Sequence, residues 1–233
     1  MKKQMSKSFA LGILLLISTP VLLAQAETKI NATKTEEAKA KSDADQEKKA
    51  AEWTAALKLN DAEKEARLKS AITTHLKTIR DWHNEHPFTT VPAGINPTTG
   101  NRLSDLDRQV IANSAMPGSV HADLMKALNQ DLTPEQVETI LDKYTVGKVA
   151  FTMNGYKSIV PDLKPEEEQQ ILTYLKQARE QAIDFKNMNQ ISAIFEIYKT
   201  KSEQYLNSNG RNWRQLYKAY TDAVKAKKKE KGN

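Results

Sequence analysis

Cysteine is missing from all 233 residues. That absence excludes disulfide bonds, thiol chemistry and Cys-ligated metal centres. It also excludes lipid attachment at a lipoprotein-type leader, so stability has to come from packing. Several catalytic signatures are missing too. No G-x-S-x-G nucleophile elbow, phosphate-binding Walker loop or dinucleotide fingerprint occurs, and no cofactor is expected. The apolar run from Phe9 to Leu23 is shorter than the roughly 20 residues of a membrane-spanning helix, so no integral membrane span is expected. Repeats of fixed period are absent.

A basic surface is lacking as well, in spite of a formal net charge of +6. Lys2, Lys3 and Lys7 carry three of those charges, and Lys225 to Asn233 holds five lysines against one glutamate, which leaves residues 27–224 at −1. A near-neutral body argues against a nucleic-acid partner. The basic stretch 225–233 reads as a solvated, disordered tail. A sharper reading is loose, salt-screened attraction to anionic lipid or an acidic polysaccharide.

What is present begins with an address. Three lysines, an apolar run and Ala24-Gln25-Ala26 have the order of a secretory leader with a small-x-small cleavage site. Residues 1–26 are therefore expected to be removed after Ala26, delivering a periplasmic or secreted protein. Residues 27–49 hold Ile30 as their only large apolar side chain and are expected to form a disordered linker.

From residue 50 the periodicity is helical. Leu68, Ile72, Leu76, Ile79 and Trp82 recur at spacings of three and four, with Asn60 or Asp61 as the cap and Pro87 as the stop. Residues 88–117, with Pro92, Gly94, Pro97, Gly100 and Pro117, predict a long irregular loop with one helical turn near 103–111. Thr133-Pro134-Glu135-Gln136 is a capping box with proline at the first helical position. Residues 145–160 fit either a hairpin turning at Asn154-Gly155 or a helix; helix is preferred because no other strand exists to extend a lone hairpin. Pro165 opens a long helix, and Asn209-Gly210 closes the one after it. The sum is a single all-α domain, 50–224, of about six or seven helices.

Two polar clusters could carry chemistry. Asp81-Trp82-His83-Asn84-Glu85-His86 places two imidazoles three residues apart on one helix face. Zincin spacing and a third ligand are lacking, so no metal is expected; the open readings are capping of the helix dipole and an acid–base role for His83, Glu85 or His86. The second cluster is Asn207, Asn209, Arg211, Asn212, Trp213 and Arg214. Amides and guanidinium groups beside an indole suit a sugar, with the ring on its apolar face. A core Trp213 and asparagine caps explain the same residues. Candidate ligand contacts are Trp82, Asn154, Tyr156, Asn209, Arg211, Trp213 and Arg214, meeting with 81–86 around one cleft.

The blocks Asp81 to His86, Tyr144-Thr145-Val146-Gly147, Asn154-Gly155-Tyr156 with Val160-Pro161-Asp162-Leu163, and Asn207 to Trp213 resemble those of a family of exported bacterial proteins of unknown function. That family is carried by polysaccharide-degrading Gram-negative bacteria and labelled sugar-binding. The resemblance spans about Ala50 to Lys225 and implies an extracytoplasmic place in the use of plant-type polysaccharide, pectin included. Three functions follow as expectations: binding of a carbohydrate; an enzyme acting on a glycan fragment, with Arg211 or Arg214 gripping a carboxylate; and a helical holdase-type envelope protein with an exposed apolar groove.

Overall fold

The periodic segments become helices whose ends are set by the expected side chains. The computed structural model describes residues 19–97 and 99–231. Lys2, Lys3, Lys7 and the apolar run up to Ser18, the body of the expected leader, lie outside them. Among the described residues there are nine α-helices and no named strand. They are α1 (Thr19–Ala55), α2 (Ala62–Glu85), α3 (Asp105–Ser114), α4 (Ser119–Asp131), α5 (Pro134–Tyr144), α6 (Lys148–Ile159), α7 (Pro165–Ala182), α8 (Met188–Ser208) and α9 (Trp213–Lys231).

The chain divides into two units, 1–45 and 46–233. In the first, α1 passes through the stretch expected to be a disordered linker. Ala, Lys and Glu are strong helix formers, so a lack of apolar residues removes burial there without removing helicity. At the other end α9 continues to Lys231, through the lysine-rich segment expected to be disordered, for the same reason of propensity. The count exceeds the expected six or seven partly because Ser104 and Asp107 form a reciprocal capping box, turning one helical turn into the ten residues of α3. The rest of 88–117 carries a 3-10 turn at Phe88–Thr90 and one isolated bridge, Ile95 to Arg102.

Caps behave as the sequence implies. Asp61 accepts from the Lys64 amide at 3.0 Å, and Thr133 with Gln136 forms the expected box. Residues 145–160 form α6. It starts at Gly147, which has φ +66° and donates its amide to the Asp142 carbonyl at 2.9 Å, so it ends α5 and starts α6 at once. Gly210, at φ +83°, follows α8 in the same left-handed role, and the Arg211 amide reaches the Leu206 carbonyl at 3.1 Å.

Two apolar cores hold the second unit. One gathers Ala50, the α2 stripe Leu68, Ile72, Leu76 and Ile79, Leu124 and Leu128 of α4, Ile140 of α5, and Ile183. The other gathers Met153 and Tyr156 of α6, Ile171 and Leu175 of α7, Ile194 and Phe195 of α8, Ala182 and Phe185. Each fully buried Leu or Ile contributes about 1.5–3 kcal/mol. The segment 182–185, at the end of α7, belongs to both: Ala182 and Phe185 face the second core, Ile183 the first. Between them stands Asp184.

Candidate functional site

An open groove of about 590 Å³ lies between α6, α8 and the start of α9. Its floor follows from helix register. On α6, Met153 and Tyr156 turn inward, which leaves Phe151 76% exposed and places Asn154 and Ser158 at the rim. On α9, Trp213, Tyr217 and Tyr220 recur at i, i+4 and i+7, so all three share the groove face. The Tyr156 ring lies 5.2 Å from that of Trp213. Trp213 and Tyr217 lie 6.0 Å apart and 28° from parallel. Tyr156 donates its hydroxyl hydrogen to the Lys199 carbonyl at 3.1 Å, and burial pushes its pKa up, so it remains a donor.

Charge in the groove is balanced locally. Lys199 is held by both carboxylate oxygens of Glu196 at 2.9 Å. Lys148 stands 5.6 Å above the Phe195 ring. Glu203 has its carboxyl raised by burial. The surface is therefore aromatic and amphipathic, with donors and acceptors at its edge and no dominant sign of charge.

Of the sequence-derived candidates, Asn154, Tyr156 and Trp213 line this groove; Asn209, Arg211, Arg214 and the 81–86 cluster do not. Arg211 is spent on structure. Its guanidinium forks onto Glu167 at 2.7 and 2.9 Å and onto the Asp162 side chain and carbonyl at 2.9 and 2.8 Å. The hydrogen bond to Glu167 raises the Arg211 pKa, against a smaller opposing effect of burial. With four of its five N–H groups engaged, Arg211 clamps the α8–α9 turn onto the start of α7 and has no two-donor fork left to grip a ligand carboxylate. Asn207 accepts from the Trp213 amide at 2.9 Å, and Asn212 from the Gln215 amide at 3.1 Å, which makes both of them caps. Asn209 ends α8 through its backbone, and Arg214 is exposed.

The 81–86 cluster belongs to a different constellation. His83 is 1% exposed. Its Nε2 donates to the Asp184 carbonyl at 2.9 Å, and its Nδ1 accepts from the Gln109 amide at 3.1 Å. Burial lowers its pKa, so the ring is neutral with both nitrogens occupied. Trp82 and His86 stack at 3.8 Å, and His86 Nδ1 donates to the Trp82 carbonyl at 3.0 Å, the C-terminal capping role. Glu85 is exposed.

Three of the four histidines gather on Asp184. Besides the backbone contact of His83, His75 Nε2 meets Asp184 Oδ1 at 3.1 Å and His121 Nδ1 meets Oδ2 at 2.9 Å. Burial pushes the Asp184 carboxyl up, but the hydrogen bonds from His121 and His75 outweigh it and hold the group below the ordinary carboxylate value. His121 is raised, first by its bond to Asp184 and further by Glu180, whose Oε1 is 3.6 Å from Nε2. His75 Nδ1 and the neighbouring Tyr144 hydroxyl are buried without a partner.

Residues 75 and 83 are legible in sequence, since both continue the α2 stripe at 72, 76 and 79, and His75 is the hydrogen-bonded core histidine its place between Ile72 and Ile79 implies. His121 and Asp184 carry no local signal. Among the described residues, no three His, Cys, Asp or Glu side chains are placed to hold one metal ion, and no helix is long and apolar enough to cross a membrane.

What these helices and surfaces define is an all-α protein with an aromatic groove and a separate polar cluster. Residues 43–226 match the family described as protein of unknown function DUF3826, and the chain belongs to that family. No curated protein matches it.

Proposed function

We propose that this is an exported carbohydrate-binding protein whose α6–α8–α9 groove takes a short glycan. The observation that carries the reading is the near-parallel pair Trp213 and Tyr217, open in a groove edged by Asn154, Ser158 and Glu203. Rings at this spacing offer flat apolar faces to successive sugar units, and the rim groups both donate to and accept from hydroxyls. A cleft of some hundreds of cubic ångströms, mostly apolar with a few polar groups, is the common form of a small-ligand site. Export rests on the leader-like residues 1–26, and the sugar-binding label of the resembled family points the same way, towards polysaccharide use.

Titration with a panel of neutral and acidic oligosaccharides, followed by tryptophan fluorescence, tests the reading. The expected result is a saturable change that Tyr217→Ala weakens and Trp82→Phe leaves in place. Silence across the panel overturns it. The exposure of Phe151 at 76% favours a second reading, in which the groove holds an apolar segment of an unfolding client. Suppressed light scattering by a heated client, lost in Phe151→Ser, is its signature.

The expected enzymatic reading at His83 finds less support, because both of its ring nitrogens are already occupied.

A further inference from the structure

His121 differs from the other two histidines on Asp184. His75 and His83 are 3% and 1% exposed, and the nitrogen each turns towards Asp184 is committed to structure. The His121 side chain is 28% exposed. Its Nδ1 hydrogen is given to Asp184, which fixes the tautomer and leaves the Nε2 lone pair facing outward. Beside that nitrogen stands Glu180, more than half exposed, with Oε1 at 3.6 Å, beyond hydrogen-bond length. His121 lines a shallow, open cleft of about 340 Å³ with Glu180, Asp184, Gln177, Gln181 and Tyr198.

We propose that this cleft is a second ligand site, for a neutral polyhydroxylated molecule such as a single sugar unit, in which unprotonated His121 Nε2 accepts a hydrogen bond from a ligand hydroxyl. The site lies apart from the groove and does not rest on it. The ligand class follows from the lining. Two amides and a phenol each donate and accept, as a hydroxyl does. Among the described residues no lysine or arginine lines the cleft, and Asp184 with Glu180 repels carboxylates and phosphates. A structural tie would need only the Nδ1 bond; an oriented, outward-facing nitrogen is what a ligand acceptor needs.

Protonation closes the site. An imidazolium has no acceptor, and it draws Glu180 onto Nε2. Two groups that face His121 favour that closed form, Glu180 of α7 and Asp184 after α7; His75 of α2 shares the Asp184 carboxylate and draws on the same charge. Tyr198 of α8, capped by Lys201 at 4.3 Å, stays neutral because burial raises it. Occupancy is therefore expected to rise with pH, as His121 loses its proton.

The imidazole carbon-bound proton signals of the full chain, assigned by His121→Ala, read this cleft directly, while tryptophan fluorescence reads the groove. The probes are galactose, xylose and rhamnose, with galacturonate and methylammonium as charged controls. At about pH 8 at least one neutral sugar shifts the His121 signals, and at about pH 5.5 the affinity falls at least tenfold. Glu180→Gln, an exposed change that leaves the Asp184 bonds intact, moves the midpoint of that loss to lower pH. Unmoved His121 signals with every neutral sugar, a response only to galacturonate or methylammonium, or binding equal at both pH values overturns the proposal, whatever the groove does.

Discussion

The groove and the Asp184 cluster are built on opposite principles. The groove is made of rings placed by helix register, and its polar groups stand at the rim where water can reach them. The cluster is made of polar groups drawn inward, with Asp184 reached from α2, from α4 and from the end of α2 by three imidazoles. In the first, an exposed ring such as Tyr217, half exposed, can be lost with little harm to the fold. In the second, each partner removed leaves a buried donor or acceptor unsatisfied, at about 1–3 kcal/mol. The difference shows that a site and a staple can be told apart by what their removal does to stability.

The sharpest break of that comparison is Asp184→Ala. It strands His75 and His121 and is expected to destabilise the protein by about 3–5 kcal/mol, read as a shifted urea midpoint at constant slope. Next comes Tyr217→Ala in the groove. Glycan affinity should fall about tenfold, near 1.4 kcal/mol, with stability changed by no more than about 0.5 kcal/mol. Calorimetric titration alongside thermal melting separates the two quantities. If Tyr217→Ala instead melts the fold while Asp184→Ala does not, the division between site and staple is wrong.

Arg211→Lys tests whether a residue expected in a site belongs to the scaffold. Lysine cannot fork onto Glu167 and Asp162 together, so about 1–2 kcal/mol of stability should go, with glycan affinity unchanged in the folded fraction. The smallest effect is that of pH. The folded-state pKa of His121 is raised, so its stabilisation is complete below the ordinary histidine value of about 6.5 and fades as pH rises through the raised one. His121→Gln should flatten that alkaline decline, which is under about 1 kcal/mol. His83, lowered by burial, acts in the opposite sense: its contribution is present above about pH 6.5 and is lost as pH falls through the depressed value. Urea unfolding at a series of pH values resolves both limbs.

Much of this was legible along the chain because it is local. Asp61, the Thr133–Gln136 box, Pro165 and Gly210 signal helix ends within four residues of the groups they satisfy. The groove half-showed itself: Asn154 and Tyr156 stand within α6 and Trp213 opens α9, and helix–helix contact between α6 and α9 joins them. Arg211 misled because a guanidinium looks the same in sequence whether its acids come from a ligand or from Asp162 and Glu167, 49 and 44 residues away. The cluster was legible only in part: His75 stands on the α2 stripe, but His75 and Asp184 are separated by 109 positions, and no spacing rule links them. Segment 27–49 lies on α1, and it shows that burial and helicity are separate properties, composition speaking first to burial.

The shared segment 182–185 has a kinetic meaning. Ala182 and Phe185 plug one core, Ile183 the other, and Asp184 ties down α2 and α4. Neither core can open without pulling on the same four residues. Amide exchange in α2 and in α7 should therefore follow one common opening event rather than two, and the two halves should be protected as a single cooperative unit.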